Sequence, residues 1–544
     1  MAKWFDCFSA ALGGFLFGYS SCIIASVLEM DSFTVFFGMA DADAVRMAAA
    51  ASNPGIVLVK TASYSSIKAQ IVSFFVLGCI PGALAIAFLG DALGRRRSIW
   101  LGSFLFSVSA IIQAVTPASF SIAQRTAMVL AGRFIGGSGI GILSTSVPLY
   151  IAEIAPTALR GRLTSIQQLM ITIGIAFAFI VNAIIIGSYK ANHDLMNDSM
   201  WRTALALQAA PGALLMVMLV VMPESPRWLM LREREEEALT NLARLRQQDE
   251  RSPAVQEEFH DYKQSIETER QVGTAAWSEL GRKGILNRVG LGIALQFFQQ
   301  WTGINAVLYY SASLFIAMGI PKSTGTLILR GGQRMRDAGT DPSPRLHSTA
   351  ITVNVVVQSL INVLFTVPGM YLIERSGRKN LLVWGGLAMA VCMWLLVLFV
   401  NLFQSSISVP VADLTELTPI PTSARTYSII SVIAMYCYVA CFASTWGPVV
   451  WVYQSEIFPL RVRSKGTGIA AASNWINNFI LSYVWPYAET LGANQYIVFG
   501  TTGLAMAAFT AWYVPETRGK SLEEMDEVFG FAEDTYPMTD LKAQ

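Results

Sequence analysis

Charge is what this chain is short of: 14% of its 544 residues are Asp, Glu, Lys or Arg, where an average soluble domain has about 25%. Hydrophobic residues make up 53%, which places the chain in a lipid bilayer rather than in water. A net charge of +2, with no basic stretch interleaved with aromatics, argues against a nucleic-acid partner. Histidine is scarce too. His193, His260 and His347 are scattered, and no cluster has metal-ligand spacing, so neither a metal nor any other cofactor is expected, and an enzyme is not. Gly136-Gly137-Ser138-Gly139-Ile140-Gly141 has the look of a phosphate-binding loop, but it lies inside an apolar run and follows no strand. Close packing of helices explains it better. The six cysteines all fall in or beside apolar runs, which excludes a disulfide framework.

What the chain has in quantity is long apolar runs. Crossing the hydrocarbon takes about 20 residues, and such runs occur near 9–28, 69–90, 98–117, 126–151, 164–187, 201–222, 286–318, 350–373, 380–403, 427–454, 465–488 and 495–514. The expected fold is therefore an all-α membrane protein with twelve transmembrane helices. The basic clusters at 91–97, 160–162, 374–379 and 461–465, with the charged stretch 224–283, then share one side, the cytosolic one, together with both termini. The basic loop 319–349 breaks this pattern on the outer side and has no functional reading.

Three segments occur twice at nearly one spacing. Gly94-Arg95-Arg96 returns as Gly377-Arg378-Lys379, Glu153-Ile154-Ala155-Pro156 as Glu456-Ile457-Phe458-Pro459, and Pro223-Glu224-Ser225 as Pro515-Glu516-Thr517. The chain thus reads as two homologous six-helix bundles, 1–223 and 285–519, related by an axis along the membrane normal. A helical cytosolic linker, 224–284, joins them, and a cytosolic tail, 520–544, follows.

The most informative stretch is Gln299-Gln300-Trp301-Thr302-Gly303-Ile304-Asn305. Three side-chain amides sit here in an otherwise apolar run, and an amide in hydrocarbon without partners is costly. Amides donate and accept, which suits a ligand whose hydroxyls do the same, such as a sugar. On a straight helix Asn305 falls about 140° from Gln300. Thr302-Gly303 offers a place to unwind, and interrupted helices at mid-membrane are where transporters build substrate sites.

Taken in order, GRRR, RFIGGSGIG, YIAEIAPTALRGR, PESPRWL, QQWTGIN, ERSGRK, SEIFPLRVRSKG and PETRGKSLEE resemble the sugar porter family of the major facilitator superfamily, most closely its fungal hexose transporters. The resemblance covers about residues 8–525 and implies transport of a hexose, glucose first, by alternating access. It implies a monosaccharide and the lipid bilayer as partners, a functional monomer, and the plasma membrane as location. Carried over to matching positions, it implies substrate contacts at Gln168, Gln299, Gln300, Asn305, Asn362, Trp451 and Asn474, and an outer gate at Tyr309-Tyr310. A cytosolic gate network is implied at Arg95, Glu153, Arg160, Glu224 and Arg227 in the first half, with Glu374, Arg378, Glu456 and Arg463 in the second.

Proton-coupled members carry Asp immediately after Phe-Gly-Tyr in the first helix. Here Phe17-Gly18-Tyr19 is followed by Ser20, and Arg133, which would pair with that Asp, lacks its partner. Uniport is the expectation and proton symport through another carboxylate the alternative. A sugar sensor on the same scaffold ranks third, because family sensors carry long cytosolic tails and only a short segment follows Gly519.

Overall fold

The computed structural model describes residues 2–28, 30–39, 64–156, 159–191, 197–272, 277–281, 283–320, 349–407, 420–459, 462–519 and 525–529. The basic loop lies outside these residues, apart from its edges, and so does most of the tail. In chain order the helices are α1 Ala2–Val27, α2 Asp31–Phe36, α3 Tyr64–Leu93, α4 Arg95–Ala114, α5 Ile122–Ile154, α6 Arg160–Ala191, α7 Ser199–Ala206 and α8 Ala209–Val221. The linker holds α9 Pro226–Leu231, α10 Glu235–Arg246, α11 Pro253–Val272 and a 3-10 turn, Trp277–Gly281. The second half holds α12 Lys283–Gln300, α13 Ile304–Tyr309, α14 Ser311–Ala317, α15 Thr349–Ser376, α16 Arg378–Ser405, α17 Thr422–Ser444, α18 Trp446–Ile457, α19 Arg463–Ala488 and α20 Gln495–Tyr513. A short α21, Met525–Val528, ends the described chain.

Every expected span is matched by a helix or by two or three consecutive helices. Among the described residues nine stretches are long and apolar enough to cross a bilayer. The other three spans are the interrupted α12–α14, the Asn-bearing α19, and α20 with its Gln, Thr and Gly. Their polar residues and breaks lower the hydropathy without shortening the crossing.

The breaks have local causes. In the sixth span Pro211 has no N–H for the carbonyl of Leu207, and the Ala210 amide turns to Leu207 instead. In the tenth, Pro448 follows a break at Thr445 (φ −129°, ψ −86°). Across the interface between the halves, α3 lies along α19 and α6 along α15.

The linker is built as the sequence suggests. Ser225 caps α9, its hydroxyl accepting from the Trp228 amide at 3.3 Å with Pro226 in the first turn. Trp228, Leu229, Leu242, Ala243, Val255 and Tyr262 then form a small core of their own. Trp277 reaches both halves, its ring 4.6 Å from that of Phe88 on α3 and under the Lys465 ammonium of α19 at 5.4 Å.

The sequence repeats are structural repeats. Gly94 and Gly377 share one backbone conformation, with φ near +85° and ψ near +165°. Glu224 accepts from the amides of Arg95 and Arg96 at 3.2 Å, and Glu516 from those of Arg378 and Lys379 at 2.8 and 3.0 Å. Tyr150 donates to the Pro223 carbonyl as Tyr453 does to that of Pro515. Each half therefore ties the start of its third span to the end of its sixth by the same device.

Candidate substrate site between the two halves

The seventh span unwinds where the residues indicate. Helix α12 ends at Gln300, Gly303 takes φ +90°, and α13 begins at Ile304. A Cβ on Gly303 would lie 2.6 Å from the Phe499 ring, so both the dihedral and the space demand glycine. The carbonyls freed at the break are taken up from neighbouring spans: Tyr438 Oη donates to Thr302 O at 2.8 Å and Thr502 Oγ1 to Trp301 O at 2.7 Å.

Unwinding swings Asn305 back beside the glutamines, and its Nδ2 donates to Gln300 Oε1 at 2.7 Å. Gln300 Nε2 donates to Asn474 Oδ1 at 2.8 Å. Asn474 Nδ2 donates to Gln296 Oε1 at 2.6 Å and Gln299 Oε1 at 2.7 Å, and Gln299 Nε2 to the Trp446 carbonyl at 3.0 Å. Gln296 donates in turn to Gln454. The result is one continuous amide chain across α12, α13, α18 and α19. Sequence reasoning missed Gln454 in this role, because its register against Gln296 depends on how α18 packs.

Gln299, Gln300, Asn305 and Asn474 of this amide chain wall a cavity between the two halves. The second half contributes Gln299, Gln300, Asn305, Tyr309, Asn362, Trp451 and Asn474. The first half contributes Phe17, Gly18, Ser21, Cys22, Gln168, Ile171 and Ile175. All seven expected contacts thus meet in one place. Trp451 presents an indole, whose face suits the C–H side of a pyranose and whose N–H donates.

The two tyrosines expected to form the outer gate part company. Tyr309 lines the cavity and its hydroxyl accepts from Asn478 Nδ2 at 3.2 Å. Tyr310 turns away, donating to the Ser482 carbonyl at 2.8 Å, with the Lys68 ammonium 5.7 Å from its ring centroid. Asn478 was not among the expected contacts although it sits one turn beyond Asn474 on the same face.

Arg133 is 1% exposed. Its Nε donates to the Ile71 carbonyl at 3.2 Å and its Nη1 reaches the Ser20 carbonyl at 3.5 Å, with the Phe75 ring 4.3 Å from the guanidinium. Backbone dipoles and an aromatic face hold the charge where a carboxylate was the alternative.

On the face that carries the linker, the charged residues sort differently from a latch made of pairs between halves. Arg95 bonds Glu153 at 2.8 Å and Asp91 at 3.0 Å, and Arg378 bonds Glu456 at 2.8 Å with Glu374 at 3.9 Å. Each of these ion pairs stays within its own half. Glu224 serves as a helix cap rather than as a guanidinium partner; burial raises its pKa against the pull of the Ser225 and Arg96 amides. Arg227 stacks over Tyr262 of the linker at 4.6 Å, and Arg463 donates to the Phe458 carbonyl at 3.2 Å. The Arg160 side chain lies outside the described residues. Among the described residues, contacts that cross between the halves on this face include Ser464 Oγ to Asp91 Oδ1 at 3.0 Å, and the Arg162 guanidinium 5.6 Å from the Tyr371 ring. A Cβ on Gly161 would lie 2.3 Å from Glu374 Oε1. Glu516 was legible as the repeat of Glu224 yet was not picked, because backbone amides leave no mark in a sequence.

Over residues 7–529 the sequence matches the family described as sugar (and other) transporter. The chain belongs to that family. This sugar transporter is 32% identical over 532 residues to the probable glucose transporter rco-3 of Neurospora crassa, covering 95% of this chain and 78% of the relative. It is 31% identical over 531 residues to the low-affinity glucose transporter HXT1 of Saccharomyces cerevisiae (96% and 81%). It is also 31% identical over 539 residues to the D-xylose-proton symporter of Escherichia coli (96% and 94%). Among solved structures, the proton:xylose symporter XylE bound to 6-bromo-6-deoxy-D-glucose matches with a TM-score of 0.75 at 28% identity, covering 97% of this chain and 99% of that one. An inward open conformation of XylE gives 0.66 at 26% identity, with the same coverage. The protein is therefore an integral membrane sugar transporter with the major facilitator fold, and its relatives are transporters rather than enzymes.

Proposed function

We propose that this sugar transporter carries a hexose, glucose first, down its concentration gradient by alternating access. The observation that carries the reading is the amide chain at the break of the seventh span, closed against Gln168 of the first half. Hexose docks on Gln168, Gln299, Gln300, Asn305, Asn362, Trp451 and Asn474, and the segment around Tyr309 closes the far side. The contacts on the linker face then part and the sugar leaves. The glucose transporters among the relatives support the substrate class. Basic clusters on the linker face support a cytosolic setting for it and for both termini; the plasma membrane as location and the monomer as the working unit follow from the family resemblance.

Ser20 supports uniport, since a hydroxyl does not exchange a proton near neutral pH and backbone carbonyls solvate the Arg133 charge without a carboxylate. Proton symport remains the second reading, favoured by the likeness to a D-xylose-proton symporter. Asp6 is buried but about four turns from Ser20. Purified protein in liposomes, with equal labelled glucose on both sides and an inward proton gradient, separates the two. Exchange without accumulation is the expected outcome, and accumulation above equilibrium would establish coupling instead.

A further inference from the structure

We infer that Gln358 is a substrate-contacting amide one tier beyond the described site, a role that rests on the transport reading above. It lies on α15 four residues before Asn362, so the two share one helical face about 6 Å apart along the axis. Helix α15 runs from the far side of the membrane toward the linker face, which puts Gln358 on the far side of Asn362. Asn354 and Thr366 continue the same face, which makes it a polar stripe along the membrane-spanning part of the helix.

The members of that stripe differ in one respect. Asn354 accepts from Tyr436 Oη at 2.7 Å and Thr366 donates to the Asn362 carbonyl at 2.7 Å. Gln358 is 1% exposed, and neither its Oε1 nor its Nε2 meets a partner among the described residues. Asn362 Oδ1, one turn away on the cavity wall, is likewise without one. Buried amides with both ends unmet are rare, because each loses its hydration for nothing in return. Helix α15 lies along α6, and on α6 the cavity wall continues from Gln168 outward through Ile171 to Ile175. A terminal amide offers one donor edge and one acceptor, the complement of two neighbouring ring hydroxyls. Gln358 therefore takes a vicinal diol of the sugar, on the side through which it arrives from the far face, while the glutamines of α12 hold the opposite edge.

Binding of glucose and its singly deoxygenated analogues to the purified protein tests this. In the wild type, removal of either hydroxyl of one adjacent pair weakens binding about five- to tenfold, the worth of one neutral hydrogen bond. Gln358→Leu binds glucose weaker by a similar factor and no longer distinguishes those two analogues from glucose. Should Gln358→Leu not fold, Gln358→Met fills the same length without hydrogen-bonding groups. Unchanged binding of every sugar by the variant overturns the inference, and so does a uniform loss that leaves the discrimination between analogues intact. Wild-type protein that binds none of these sugars overturns the transport reading and this inference with it.

Discussion

Gln300 accepts from Asn305 and donates to Asn474, so its removal strips two partners from the amide chain and one contact from the sugar. Gln300→Ala is expected to weaken sugar affinity about fivefold, the worth of the one contact of about 1 kcal/mol lost to the sugar, the two amide bonds being lost from the free protein as well. Surface-normalised uptake of labelled glucose checks it, and normal uptake by a variant that reaches the membrane would rule out the amide site. Gly303 is a different case, because its constraint is the backbone. Gly303→Ala places a side chain at φ +90° against Phe499, at an expected cost of about 1–3 kcal/mol in stability. Thermal denaturation in detergent measures it. Pairing it with Phe499→Ala should recover only the steric part, since the dihedral stays wrong.

At the scale of elements, the paired devices of the two halves make the Arg95–Glu153 and Arg378–Glu456 contacts braces inside each bundle. Both side chains of the first pair are 6% exposed; a buried ion left without its counter-charge costs about 3–5 kcal/mol, and the half-exposed Asp91 at 3.0 Å from Arg95 offsets only part of it. Glu153→Gln is thus expected to lower the melting temperature sharply, while Glu153→Gln with Arg95→Gln recovers part of it. A double variant no better than the single would show that the pair is not the source. Which elements were readable from sequence follows from the same physics. The break at Thr302-Gly303 was legible because positive φ has one inexpensive residue, and the two halves because the Gly-Arg, Glu-Ile and Pro-Glu segments recur. Linker helices were legible from their charge pattern. The role of Glu224 was not, since a carboxylate near arginines invites the guanidinium as partner while the orphan amides at the start of α4 are invisible in a string of letters. Gln454, Asn478 and Gln358 were missed because α18, α19 and α15 each carry several polar residues, and only packing decides which of them faces inward.

At the scale of the whole molecule, the halves meet on the linker side along α3 and α19, where Gly468 faces Ala87. A Cβ there would lie 2.7 Å from the Ala87 Cβ and 3.3 Å from its backbone, so a side chain must push the two bundles apart. Gly468→Val is expected to shift the protein toward a form open on the linker face. Cysteines placed along that interface should react faster with a reagent added from that side, and unchanged labelling would show that the helices absorb the wedge without moving. The likeness is greater to XylE holding a glucose analogue than to XylE in its inward open form, with TM-scores of 0.75 and 0.66. This agrees with a linker face closed by Ser464, Asp91 and Gly468.

The amide chain between Gln454 and Asn305 bears on kinetics as well as on recognition. Its members already bond one another, so an arriving hydroxyl trades one hydrogen bond for another and gains only the difference. On the proposed docking this would keep affinity modest. It also means that the carrier reorients without cargo while leaving those amides paired in hydrocarbon, so the return stroke is not penalised by them. Net flux into a sugar-free compartment should therefore run nearly as fast as one-for-one exchange.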